Sequence, residues 1–103
     1  MAAEGTIENL VVVGEVTTSA DNAGGIVGTA DGTILNCGNW AAVTATGNTM
    51  FLGGIAGMAN ADISDCFNVG AVSGYSNVGG IVGGTGGSLY NCYNFGAISG
   101  LPL

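Results

Sequence analysis

Apolar and polar positions alternate in short bursts along this chain, and the bursts recur. Residues 24–44 read GGIVGTADGTILNCGNWAAVT, residues 53–73 read GGIAGMANADISDCFNVGAVS, and residues 79–100 read GGIVGGTGGSLYNCYNFGAISG. A shorter copy, GTIENLVVVGEVT, occupies residues 5–17. In each full unit 13 residues lead from the first Gly to the Cys (24 to 37, 53 to 66, 79 to 92), and six more lead to a branched residue, Val43, Val72 or Ile98. Only the stretches 17–23, 44–52 and 73–78 differ in length. A fixed core spacing with one drifting loop per unit is the signature of stacked coils, because core positions must stay in register while surface loops need not.

Within a unit the apolar residues follow a period of two, which is that of a strand. Ile7 and Leu10 are expected to face inward, and Thr6 and Glu8 outward. Each unit holds three apolar runs separated by Gly, Asn and Asp turns. The first starts at Ile26 or Val27, the second carries Ile34 and Cys37, and the third spans residues 42–44. The pattern predicts an all-β fold, a right-handed parallel β-helix (solenoid) with three short strands per coil and about 3.5 coils, the hand following the usual rule for parallel crossovers. One domain covers residues 1–103, divided into a partial coil at 5–23 and full coils at 24–52, 53–78 and 79–103.

Four core columns follow: Ile26/Ile55/Ile81, Ile7/Ile34/Ile63/Leu89, Leu10/Cys37/Cys66/Cys92 and Val16/Val43/Val72/Ile98. The cysteines are expected as small apolar core residues with free thiols, since side chains in one column run parallel and present poor geometry for a disulfide. The paired glycines that open each unit imply either a corner with positive φ or a close approach of backbones. Two polar columns recur, Asn9/Asn36/Asp65/Asn91 and Asn39/Asn68/Asn94. Asn tolerates left-handed backbone, and stacked Asn side chains can bond along the stack. Trp40 and Phe95 share one repeat position with Val13 and Val69, and are expected to pack at a corner. Phe67 and Tyr93 share another. Met50, Phe51 and Tyr75 lie in the variable loops and, with the apolar tail residues Leu101 and Leu103, are the candidate ligand or partner contacts.

Charge narrows the function. The chain has no Lys, Arg or His against seven acids, a net charge of -7. Without a cation to neutralise phosphate, nucleic acid and anionic lipid headgroups are not expected partners. The apolar run at residues 10–13 is far too short for membrane insertion or a signal segment. A zinc site needs converging ligands, and no His is present. No cofactor is expected; the one cation the turns admit is a weak calcium at Asp31 or Asp62. The carboxylates are too scattered for a paired acid and base, and no nucleophile stands beside a base, so an enzyme is not expected.

The units resemble GLUG-motif repeats. GGIVG, GGIAG and GGIVG match that family's Gly-Leu-x-Gly core with Ile in place of Leu, and the stretch that follows each, such as ILNCGNWAAVT, is also similar. The resemblance spans about residues 5–100 and implies a repeat region of a bacterial surface or secreted protein, extracellular and adhesive; it transfers no catalytic residue. Three functions are therefore expected in order. The first is a non-catalytic structural or adhesive module that meets protein or glycan at a surface. The second is a subunit that stacks on copies of itself, end to end, into a filament. The third is an ice- or crystal-binding array on the Thr17/Thr44/Ser73/Ser99 column.

Overall fold

The structure, a computed structural model, describes residues 2–3, 5–19, 21–47 and 50–100. These residues form 19 strands and no helix, arranged as successive turns of a solenoid. The first coil holds β1 (Ala2–Ala3), β2 (Ile7–Glu8), β3 (Val11–Val12) and β4 (Glu15–Thr18). The second holds β5 (Ala23–Gly24), β6 (Val27–Ala30), β7 (Ile34–Leu35), β8 (Gly38–Asn39) and β9 (Ala42–Ala45). The third holds β10 (Met50–Gly53), β11 (Ala56–Ala59), β12 (Ile63–Ser64), β13 (Phe67–Asn68) and β14 (Val72–Ser73). The fourth holds β15 (Ser76–Gly79), β16 (Val82–Thr85), β17 (Leu89–Tyr90), β18 (Tyr93–Asn94) and β19 (Ile98–Ser99). Equivalent strands pair in parallel from coil to coil, giving five sheets: β1-β6-β11-β16, β5-β10-β15, β2-β7-β12-β17, β3-β8-β13-β18 and β4-β9-β14-β19.

A parallel β-helix is thus the fold, but each complete coil carries five short strands where the apolar runs suggested three. The second run is broken by its polar column. Asn9, Asn36, Asp65 and Asn91 all take left-handed backbone, with φ of 57°, 54°, 54° and 52°. One such residue turns the chain sharply between β7 and β8 and ends the ladder after two residues. The first run is broken at its double glycine, which separates β5 from β6.

Register follows the repeat. Ile7 pairs with Ile34, Ile34 with Ile63 and Ile63 with Leu89. Val16 pairs with Val43, Val43 with Val72 and Val72 with Ile98. The middle coils close over these columns, so that Ile34, Val43, Ile55, Ile63, Cys66 and Val72 are fully buried. At the two ends the same columns have a neighbour on one side only. Leu10 stays 40 % exposed and Leu89 and Ile98 37 %, and in the first coil Val12 packs against the core beside Ile7. Leu10 therefore occupies its predicted column without being enclosed by it.

The core is two clusters rather than one. Ile26, Ile34, Cys37, Ile55, Ile63, Cys66 and Ile81 form the larger, and Val43, Leu52 and Val72 the smaller. The double glycines and the second Asn column divide them. A Cβ on Gly25 would strike the Asn39 side chain, one on Gly54 the Asn68 side chain, and one on Gly80 that of Asn94. Residues 25 and 39 thus meet across the coil and pinch its cross-section into two lobes. The preceding glycines, 24, 53 and 79, lie against carbonyls of their own unit, at Val27, Ala56 and Val82. Close approach therefore explains the pairs; the described glycines with positive φ are Gly14 and Gly47. The stack is squat: the principal extents are 32, 22 and 19 Å, against a coil spacing of about 4.8 Å.

Candidate functional site

The Asn39/Asn68/Asn94 column is the polar spine of the fold. Asn39 and Asn68 are fully buried, and the amides bond in series. Asn39 Nδ2 donates to Asn68 Oδ1 at 2.8 Å, and Asn68 Nδ2 donates to Asn94 Oδ1 at 2.7 Å. The second hydrogen of each Nδ2 goes to its own turn, at the carbonyls of Ala41, Gly70 and Gly96. Buried amides satisfied in this way hold the turn that follows them. That turn carries the next residue outward, and this is what positions the candidate site.

Residues on either side of the inward column, which is Asn39, Asn68 and Asn94 with Val12 at that place in the first coil, must point outward by the alternation of a strand. They are Val11 and Val13, Gly38 and Trp40, Phe67 and Val69, and Tyr93 and Phe95. Trp40, Phe67, Tyr93 and Phe95 form a continuous ridge on the sheet of β3, β8, β13 and β18. Trp40 meets Phe67 edge to face, with centroids 6.3 Å apart and planes at 88°. Phe67 stacks on Tyr93 at 5.6 Å and 13°, and Tyr93 meets Phe95 at 5.2 Å and 66°. Gly38 makes room for the ridge, since a Cβ there would collide with the Phe67 ring. Trp40 is 55 % exposed and Phe95 79 %, so these residues do not pack at a corner as the repeat suggested. The corner is already filled from inside by the Asn amide, and the following side chain is left in solvent. Val11 and Val13, 57 % and 73 % exposed, continue the strip into the first coil.

The surroundings are amide, hydroxyl and backbone. Tyr90 and Asn91, which lead into β18, are exposed. Three of the acids bridge coils: Asp21 Oδ1 accepts from Met50 N at 2.8 Å, Asp31 Oδ1 from Asn60 Nδ2 at 2.7 Å, and Asp62 Oδ1 from Ser88 N at 3.1 Å. The two turn acids considered for calcium, Asp31 and Asp62, thus each bridge to the next coil. Among the described residues no group of three or more His, Cys, Asp or Glu is placed to hold a metal ion.

The three cysteines are free and stand in one column. Each thiol donates to the carbonyl two residues before it: Cys37 to Leu35 at 3.3 Å, Cys66 to Ser64 at 3.2 Å and Cys92 to Tyr90 at 3.3 Å. Burial pushes the Cys66 thiol up from an ordinary 9.0 to about 11.

The predicted contact residues do not join the ridge. Met50 and Phe51 lie in β10 and Tyr75 just before β15, on a different sheet. Met50 is exposed and Tyr75 half-buried; Phe51 is half-buried with its ring against Gly84, near Met58. Phe51 has φ of 60°, in a column whose other members, Asn22 and Asn77, are also left-handed. Leu101 and Leu103 lie outside the described residues. Thr17, Thr44, Ser73 and Ser99 do form a paired column.

Comparison with protein-family models, with curated proteins and with solved structures finds no match for this chain.

Proposed function

We propose that the protein is a non-catalytic, extracellular structural and adhesive repeat module of a bacterial surface or secreted protein, and that it grips neutral carbohydrate through the aromatic ridge. The ridge carries the reading. Four rings in a contact chain, three of them (Trp40, Tyr93 and Phe95) more than half exposed to solvent, are an apolar strip of the kind that marks interaction sites. Trp and Tyr supply large contact area at low entropic cost. Sugars present apolar C–H faces to such rings and hydroxyls to flanking polar groups, and Tyr90 and Asn91 supply the polar flank. A chain without a single cation is ill suited to an anionic ligand. The bacterial surface setting rests on the resemblance to GLUG-motif repeats.

Trp40 is the only tryptophan and stands in the ridge, so its fluorescence reports occupancy directly. Titration with neutral hexasaccharides of glucose and of N-acetylglucosamine is expected to shift Trp40 emission to the blue, and Y93A or F95A to weaken binding at least roughly tenfold, about 1.4 kcal/mol. The shift is expected to persist in high salt. No shift with any neutral glycan, together with a salt-sensitive response to poly-lysine, would replace the sugar by a basic protein surface.

A further inference from the structure

The four rings of the ridge are not equivalent. Phe67 has both faces taken. One lies over Gly38 in the coil before, where an added Cβ would strike Cζ, Cε1 and Cε2 of the ring. The other stacks on Tyr93 in the coil after. Phe67 is accordingly the one ring of the four that is not more than half exposed. Trp40 and Phe95 stand across this pair, at 88° to Phe67 and 66° to Tyr93. An edge-to-face contact covers at most one face of a ring, so each of these two keeps a face for a ligand.

Trp40 and Phe95 belong to one column, two coils apart with Val69 between them. The backbone fixes all three places alike. Trp40, Val69 and Phe95 donate N–H to the carbonyls of Val12, Asn39 and Asn68 in the coil before, at 2.7, 2.8 and 2.8 Å. Each also follows an Asn of the spine, whose amide holds the turn. The fold therefore sets the separation of the two rings, at two strand spacings or about 10 Å along the stack. A site fixed in advance loses little freedom on binding. Trp40 has a coil on either side and is still 55 % exposed, so its exposure comes from the direction in which it points. The residues that follow the column are Gly14, Ala41, Gly70 and Gly96. Small residues thus border it on the side away from Phe67 and Tyr93, and a sugar can approach the rings from there.

We infer that the glycan gripped by the ridge is an extended, β-1,4-linked chain lying along the stack, with alternate sugars on Trp40 and Phe95 and the sugar between them over Val69. This rests on the carbohydrate reading above. In such a chain each sugar is turned over relative to the last. Every second sugar therefore offers the same face, and the advance over two sugars matches the separation of the two rings. Val69, smaller than either ring, leaves room for the sugar that faces the other way. An α-1,4-linked chain of the same sugar curls into a helix and does not carry its faces along a straight line. The alternate placing of the rings also has a physical reason. Rings in successive coils stack on each other, as Phe67 and Tyr93 do, and lose their faces to the contact; rings two coils apart are too distant to do so.

The experiment titrates the full chain with cellohexaose and with maltohexaose, which hold the same glucose units and differ in linkage, and reads Trp40 fluorescence and calorimetric heat. Cellohexaose is expected to bind at least roughly tenfold tighter, and the β-1,4 hexasaccharide of N-acetylglucosamine to behave as cellohexaose does. Three sugars are the fewest that reach both rings, so affinity should rise at least roughly tenfold from cellobiose to cellotriose. The double variant V69F/F95V keeps the ring count and moves the second ring to the coil next to Trp40. It is expected to lose the preference for cellohexaose. V13F/F95V, which moves the ring to the other side of Trp40, serves if circular dichroism shows that the first variant does not fold. Equal binding of the two glucose hexasaccharides overturns the inference and leaves the ridge standing as a carbohydrate site. A preference for cellohexaose that survives the moved ring does the same. Binding by none of the hexasaccharides, that of N-acetylglucosamine included, overturns the carbohydrate reading as well.

Discussion

Asn68 shows how much a single side chain organises. Its amide accepts from Asn39, donates to Asn94 and donates to Gly70, all in the interior. N68A strands one hydrogen of Asn39 and the Gly70 carbonyl, and is expected to cost about 3 kcal/mol or more. N94A, at an exposed position, should cost under about 1 kcal/mol. Urea denaturation of both variants measures the contrast, and equal losses would contradict a buried spine. Cys66 adds a pH signature. Its folded thiol titrates at about 11 against an ordinary 9.0. Below pH 9 both states are protonated and the contribution is fully present. Above it the unfolded chain ionises first, so stability falls as pH rises from 9 to about 11. The urea midpoint should decline over that window in the wild type and less steeply in C66A.

At the scale of strands and turns, the glycines divide into those that pack and those that merely bend. Gly54 lies against Asn68 and the Gly80 carbonyl, both of which an added methyl would strike. G54A is expected to cost about 3 kcal/mol or more, because neither the spine nor the backbone of the next coil can move aside. Gly86 has only Asn60 Oδ1 near its Cβ position, at 3.7 Å. G86A should be neutral or stabilise by about 0.4–1 kcal/mol through the unfolded chain. Thermal melts of the pair test this. The columns of β2, β7, β12 and β17 and of β4, β9, β14 and β19 were legible in the sequence because a period of two and a fixed spacing leave one register. The five-strand coil was not. Asn36 and Asn39 are the same residue at fixed places in one unit, yet one turns the chain at the surface and the other is fully buried. Two signals separate them. Asp65 stands in the Asn36 column, where a carboxylate can remain in water, and the Asn39 column always faces a double glycine. The ridge follows from the second: once Asn39, Asn68 and Asn94 point inward, Trp40, Phe67, Tyr93 and Phe95 must point outward.

Taken whole, the molecule is four layers bound each to the next, with little that spans more than one interval. Its faces have separate characters: an aromatic ridge on one sheet and acids bridging coils at the turns. The contact sites expected in the variable loops lie on the sheet of β10 and β15, away from the ridge, because loop length marks where the chain tolerates change rather than where it presents rings. The layered order also decides how the molecule yields. Pulled from its two ends, it has no cross-link between distant layers among the described residues to share the load, so force falls on whichever terminal coil is held least. That coil peels off its neighbour before the next is disturbed. Each release of 26 or 29 residues, the spacing between successive double glycines, frees about 90–100 Å of chain. A solenoid built in this way lengthens in steps under tension, as a compliant tether does and a rigid strut does not.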